Sequence, residues 1–246
     1  MTSATSPTRV ALFGTSADPP HMGHQSILLW LANTFDRVAV WAANNPYKAK
    51  QSPIRDRAEM LRLLIENLPV SDKVSVYQSL SDRYSINSVN LARDRWPNAH
   101  LSFVVGADLL PQLPKWYRAK EIFKQVDVLV FPRPGYPIQG PALNQLQQLA
   151  TVKIAHPPNQ YNISSSTYRQ IHQKNYCEAS TESFTKSPTD YTALDHLPAD
   201  YTATPHTTAE ESSPAYLPPV IRDYITENDL YPCPQPTPKA KISTHH

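Results

Sequence analysis

The sequence predicts an α/β fold: a Rossmann-like parallel sheet with helices on both faces. Two observations predict it. Short apolar runs alternate with longer segments whose apolar residues recur at helical spacing. Several of the runs, "VDVLVF" above all, are apolar throughout, as strands covered on both faces are.

Taken in order, "RVALFG" from Arg9 reads as the first strand, expected at the centre of the sheet. "HQSILLWLANTF" reads as a helix, with Ile27, Leu28, Leu31 and Phe35 on one side. "RVAVWAA" is the second strand. "PIRDRAEMLRLLIENL" is a helix opened by Pro53, with Met60, Leu61, Leu64, Ile65 and Leu68 as its apolar side. "KVSVY" is a strand, "SINSVNLARDRW" a helix closed by Pro97, and "LSFVVG" a strand. "LLPQL" reads as a short helix. "VDVLVF", ended by Pro132, and "TVKIA" are the last strands, and "SSSTYRQIHQKN" a further helix. From Cys177 to Pro214 the chain is rich in Ser, Thr and Pro, has few apolar residues and shows no period. That composition cannot bury enough surface to offset its ordering entropy, so 177–214 is expected to be a disordered insertion. Period returns at "YLPPVIRDYITENDLY", a short amphipathic helix expected on the same core. The expected layout is one domain over 9–231, interrupted by the insertion, with flexible tails at 1–8 and 232–246.

Composition narrows the partners. The chain has 246 residues, 18% of them charged, and a net charge of +2, which lacks the basic bias of nucleic-acid binders. Its two cysteines, Cys177 and Cys233, fit no metal spacing and no disulfide scaffold. No apolar run approaches the ~18 residues of a membrane span. These features predict a soluble cytoplasmic protein acting on small molecules, with no nucleic-acid or membrane partner. Whether it forms a homo-oligomer stays open.

The informative stretch is "GTSADPPHMGH", Gly14 to His24, directly after the first strand. In doubly wound sheets ligands bind beyond the carboxyl ends of the strands, which is where this loop falls. Gly14 allows close approach, Asp18-Pro19-Pro20 fixes a rigid non-helical path, and Gly23 keeps the space between the histidines clear. His21 and His24, three residues apart, share a face at a helix start. Unpaired N–H groups at that start favour an anion. Two imidazoles beside them make a phosphate cradle. A zinc site would need further Cys or His ligands, which the neighbourhood does not supply.

The stretch resembles the H-x-G-H motif of the nucleotidyltransferase superfamily, and "NISSSTYR", ending at Arg169, resembles its I-S-x-[ST]-x-x-R motif. Further stretches are similar to the bacterial nicotinate-nucleotide adenylyltransferases: "VVGADLLPQLPKWYRAKEIFKQVDVLVFPRPGYP", "NNPYK", "RAEMLRL", "RYS" and "YITENDLY". The resemblance covers 9–175 and 215–231. The sequence departs from it where the family's G-G-T-F-D-P reads "GTSADP": Thr15 stands for a glycine and Ala17 for an aromatic residue, and the small side chains leave room for phosphate. Arg83, before Tyr84, is a second departure that adds attraction for an acidic acceptor.

The resemblance implies transfer of AMP from ATP to nicotinic acid mononucleotide, forming deamido-NAD and pyrophosphate. It implies His21, His24 and Arg169 as catalytic residues. ATP would be held by Gly14, Thr15, Ser16 (at the family's usual Thr), Gly23, Ser164 and Ser166. Gly106, Asp108, Arg133 and Ile163 would hold its nucleoside end, with Asp108 on a ribose hydroxyl and Ile163 beside the adenine. Asp108 also reads as an N-cap, and Ile163 as core. The acceptor would meet Asn45, Lys48, Tyr84, Ser85, Trp116 and Tyr117, with Trp116 stacking on the nicotinate ring; a core tryptophan is the ordinary alternative. Mg2+ would arrive mainly on the ATP phosphates, and no protein metal ligand is expected. The competing functions are adenylyl transfer to nicotinamide mononucleotide or to phosphopantetheine, and a non-catalytic nucleotide-binding protein.

Overall fold

A computed structural model describes residues 7–45, 48, 51–157, 164–182 and 216–232. Six strands form one sheet in the order β3-β2-β1-β4-β5-β6, every neighbouring pair parallel. They are β1 (Arg9–Thr15), β2 (Arg37–Ala42), β3 (Val74–Val76), β4 (His100–Gly106), β5 (Asp127–Phe131) and β6 (Val152–Ile154). The chain moves outward from β1 through β2 to β3, returns to β4 on the other side of β1, and continues to β6. The order therefore reverses beside β1, and the crevice at the carboxyl ends of β1 and β4 is where such a sheet binds ligands.

Alternation along each strand builds two cores. Ala11 and Phe13 of β1, Val38 and Val40 of β2, and Leu129 and Phe131 of β5 face one side. Val10 and Leu12, Ala39 and Trp41, and Val128 and Val130 face the other. The first side is covered by α1 (Met22–Thr34) and α2 (Ile54–Glu66) through Leu28, Leu31, Met60, Leu61 and Leu64. The helix α3 (Ser85–Arg95), short α4 (Ala119–Phe123) and α5 (Pro141–Gln147) cover the second through Ile86, Val89, Ile122 and Leu146. Both faces are wrapped, which explains strands with almost no polar residue.

After the sheet come α6 (Ser165–Glu182) and α7 (Pro219–Glu227). Leu217, Ile221, Ile225 and Tyr231 join the first core, and the Tyr224 hydroxyl donates to Asp56 Oδ1 at 3.2 Å, so α7 packs on α2. One boundary differs from expectation. The expected insertion began at Cys177, but α6 runs on to Glu182, because no Pro or Gly interrupts "NYCEASTE" and its Ala and Glu favour helix. Residues 183–214 of the expected insertion, and the expected tails apart from 7, 8 and 232, lie outside the described residues. "LLPQL" is not one helix: one 3-10 turn, Ala107–Leu109, ends at its first residue and another, Leu113–Lys115, starts at its last, since Pro111 and Pro114 prevent a continuous helix.

Gly14 serves packing. A Cβ there would lie 2.6–2.8 Å from the indole of buried Trp41. Gly14→Ala is expected to cost about 1–3 kcal/mol through overpacking. Urea unfolding reads this directly, and unchanged stability would contradict it.

Candidate active site

β1 ends at Thr15, and the chain turns through Ser16, the left-handed Ala17 and a cis Asp18–Pro19 bond into α1. Ala17 is buried in the first core, so its side chain points away from any ligand. His21 is the N-cap of α1. Its Nδ1 accepts from Gly23 N–H at 3.1 Å, and His24 Nδ1 accepts from His21 N–H at 3.2 Å. The two imidazoles thus replace the usual Ser and Glu of a capping box. Their rings lie 4.0 Å apart, centroid to centroid.

This geometry fixes the protons. A ring nitrogen that accepts from a backbone N–H carries no hydrogen, so both neutral rings hold theirs on Nε2. Both stay neutral. Burial lowers His24 to about 3, helped by the charges of Arg133 and Lys48. Burial also holds His21 well below the ordinary range, with His24 and Arg133 adding to it. A pH dependence follows. The unfolded chain takes up protons below 6.5 that the folded chain refuses until about 3. Stability is therefore full above 6.5 and falls as pH drops through that window, by at most about 1.4 kcal/mol per pH unit for each histidine. Denaturant titrations of His24→Asn, which keeps an acceptor for the His21 N–H, should show a shallower acid limb. An unchanged limb would contradict the assignment.

Cations gather on this loop from three segments of the chain. Lys48 Nζ donates to Ser16 Oγ at 3.0 Å. Arg133, past β5, pairs with Asp108 Oδ2 at 3.0 Å and thereby reaches the end of β4. Asp108 folds back over Gly106, where a Cβ would collide with its Oδ1. Arg169 of α6 pairs with Asp18 Oδ2 at 3.2 Å and also donates to the Asp18 carbonyl. The start of α6 is pinned to the same loop. Ser164 Oγ caps it by accepting from Thr167 N–H at 3.1 Å, and Ser165 Oγ donates to Pro19 O at 2.9 Å. Ser166 is exposed one residue on. Two helix N-termini and three cationic side chains therefore meet at the end of β1.

A second group forms about the start of α3. The rings of Tyr84 and Tyr117 are 4.9 Å apart and both exposed, with the Arg83 guanidinium 5.6 Å over Tyr84. Ser85 opens α3. Trp116 is half-buried, packed edge-on to Phe103 at 5.8 Å between centroids. Asn45 follows β2 and is half-buried. Lys48, expected on the acceptor, has its Nζ on Ser16 Oγ in the loop after β1. Ile163 lies outside the described residues.

Sequence reasoning missed the scaffold behind the loop. Asp18 is 0% exposed and takes Tyr231 Oη on Oδ1 at 2.9 Å, with Ser52 N–H at 3.3–3.4 Å. Arg57, 3% exposed, donates to Ser16 O and Ala43 O at 2.9 Å each and to Ser52 O at 3.0 Å. It staples the phosphate loop to the end of β2. The signal for Arg57 was present: it sits at helical spacing with Met60, Leu61 and Leu64, an arginine on the apolar stripe.

The cytidylyltransferase-like family matches residues 12–171. A probable nicotinate-nucleotide adenylyltransferase of Synechocystis sp. is 43% identical over 181 residues, which is 66% of this chain and 88% of that protein. The nicotinate-nucleotide adenylyltransferase of Bacillus subtilis is 26% identical over 234 residues, covering 91% of this chain and 98% of its own. In fold, the chain resembles the Plasmodium falciparum nicotinic acid mononucleotide adenylyltransferase complexed with NaAD. That match has a TM-score of 0.66 at 16% identity over 91% of this chain and 97% of that one. Among the described residues no helix is long and apolar enough to cross a membrane. With its H-x-G-H loop at the switch point of a doubly wound sheet, the chain belongs to the cytidylyltransferase-like family of nucleotidyltransferases and, within it, to the nicotinate-nucleotide adenylyltransferases.

Proposed function

We propose that this chain transfers AMP from ATP to nicotinic acid mononucleotide, releasing pyrophosphate and forming deamido-NAD. The observation that carries the reading is the pair of neutral, Nε2-protonated imidazoles at the N-terminus of α1, flanked by Lys48, Arg133 and Arg169. Such a cradle fits a polyphosphate. A 5′-phosphate oxygen of the mononucleotide attacks the α-phosphorus of ATP in line, the bond to the β-phosphate oxygen breaks, and pyrophosphate leaves. No protein nucleophile is needed; catalysis is positioning and charge stabilisation.

His24 stabilises the charge that develops at the α-phosphate, and His21 contacts the phosphates beside it. Ser16, Gly23, Lys48 and Arg169 hold the chain of phosphates, with Ser164 and Ser166 at the start of α6. Asp108 takes a ribose hydroxyl, with Gly106 giving it room, and Arg133 orients Asp108 from the ATP side. Ile163 is assigned to the adenine on the sequence resemblance alone. Tyr84, Ser85, Trp116 and Tyr117 receive the acceptor, with Asn45 at its edge and Arg83 attracting its acid group.

A divalent cation, proposed as Mg2+, neutralises the leaving pyrophosphate when bound. Among the described residues no three His, Cys, Asp or Glu side chains cluster as a cage, and Asp18 and Asp108 are committed to Arg169 and Arg133. That donor set suits an ion carried in on phosphate oxygens and water. The location proposed is the cytoplasm, where these soluble metabolites meet.

The test offers Mg-ATP with nicotinic acid mononucleotide, nicotinamide mononucleotide and phosphopantetheine separately. Preference for the first, with Trp116→Ala raising the acceptor KM roughly tenfold or more and leaving the ATP KM unchanged, is the expected result. Turnover only with another acceptor would overturn the acceptor assignment.

A further inference from the structure

One of the positions at which this chain departs from the motif it otherwise matches, Thr15, lies against the central histidine. Thr15 Oγ1 is 2.9 Å from His24 Nε2. The direction of this hydrogen bond is settled by the other side of the ring. His24 Nδ1 accepts from His21 N–H, so Nε2 bears the proton and Oγ1 accepts it. A threonine hydroxyl that accepts still has its own hydrogen to give. Among the described residues Thr15 has no other side-chain partner to take it.

Position adds to the case. Thr15 is the last residue of β1, half-buried, at the carboxyl end of the central strand where the sheet order reverses. Its backbone is held by the neighbouring strand: β1 pairs with β2 up to Thr15↔Ala42, and Thr15 O accepts from Ala43 N–H at 2.7 Å. The β-branched side chain has few rotamers. The His24 ring is equally fixed, wedged between His21 and Phe13 at 4.0 and 6.4 Å between centroids. Two rigid groups in line make a chain of donors that strengthen one another.

We propose that Thr15 is the group through which His24 acts in this chain: the Thr15 hydroxyl accepts the Nε2–H of His24 and donates its own proton to a phosphoryl oxygen of bound ATP. The helix start thus extends from the His21 N–H through the His24 ring to the Thr15 hydroxyl. The inference rests on the adenylyl-transfer reading only for the identity of the anion.

Thr15→Val keeps the shape and removes the hydroxyl; Thr15→Ser keeps the hydroxyl and removes the methyl. Three readings are taken on wild type and both variants. In the protein without ATP, the nitrogen shifts of the His24 ring should show a hydrogen-bonded Nε2–H in wild type and Thr15→Ser, and an altered one in Thr15→Val. ATP binding measured by calorimetry should weaken roughly tenfold in Thr15→Val, about one hydrogen bond, and stay near wild type in Thr15→Ser. The kcat with nicotinic acid mononucleotide should fall roughly 100-fold in Thr15→Val, the loss of one oriented donor, and recover in Thr15→Ser. Wild-type behaviour of Thr15→Val, or equal damage in Thr15→Ser, would overturn the proposal. If wild type turns over no acceptor, the adenylyl-transfer reading fails, and ATP binding alone still decides the role of Thr15.

Discussion

Asp18→Ala is expected to lose about 3–5 kcal/mol of folding stability and to weaken ATP binding with it. Asp18 is fully buried and joins parts of the chain far apart in sequence. Oδ1 accepts the Tyr231 hydroxyl, 213 positions away, while Oδ2 holds Arg169, 151 positions away. Removing the carboxylate leaves a partly buried guanidinium without its counter-charge and a buried hydroxyl without its acceptor, and both carry a desolvation cost. It also removes the side-chain link from the loop after β1 to the segment after α7 and weakens its link to α6. Tyr231→Phe removes one hydrogen bond of this network and should cost only about 1–2 kcal/mol. Equilibrium unfolding in urea, with the ATP KM on the surviving folded protein, checks both. Equal, small effects would show that the network contributes nothing as a unit.

His24→Ala is expected to lower kcat by roughly 100- to 1000-fold while moving the ATP KM much less. Both nitrogens of the ring are committed, one to the N-cap backbone and one to Thr15. Its removal leaves the Thr15 hydroxyl without the N–H that orients it, and the developing charge needs that oriented donor more than the ground state does. It also removes the acceptor for the His21 N–H, a capping loss of about 1 kcal/mol, too small to unfold the chain. Steady-state kinetics beside a thermal unfolding curve separates the two effects. A large rise in KM with kcat preserved would make His24 a ground-state binding residue instead.

The strands were legible because burial on both faces leaves little room for polar residues. β1, β2, β4 and β5 each read as an apolar run, and their alternation into two cores needed no further signal. The helices α1, α2, α3 and α7 were legible from period. α4 and α5 were not, being five and seven residues long, too short to establish one. Gly140 followed by Pro141 did mark the start of α5 in the sequence.

The local half of the site was legible for the same reason that motifs work. His21, Gly23 and His24 lie within one helical turn, so their spacing is their geometry. The long-range half was not. The pairing of Asp18 with Arg169 and Tyr231 exists only once α6 and α7 have packed beside α1 and α2. The partner of Gly14, the Trp41 ring, likewise comes from the neighbouring strand. Thr15 was visible as a departure from the motif, but its partner became visible only when β1 and α1 met.

The most direct test of the account places a radiolabel on the α-phosphorus of ATP and follows it in the presence of nicotinic acid mononucleotide. Transfer of the AMP moiety predicts that the label appears in the dinucleotide while the released pyrophosphate carries none. Label retained in ADP or AMP, or a product formed equally well without the acceptor, would contradict adenylyl transfer at this loop.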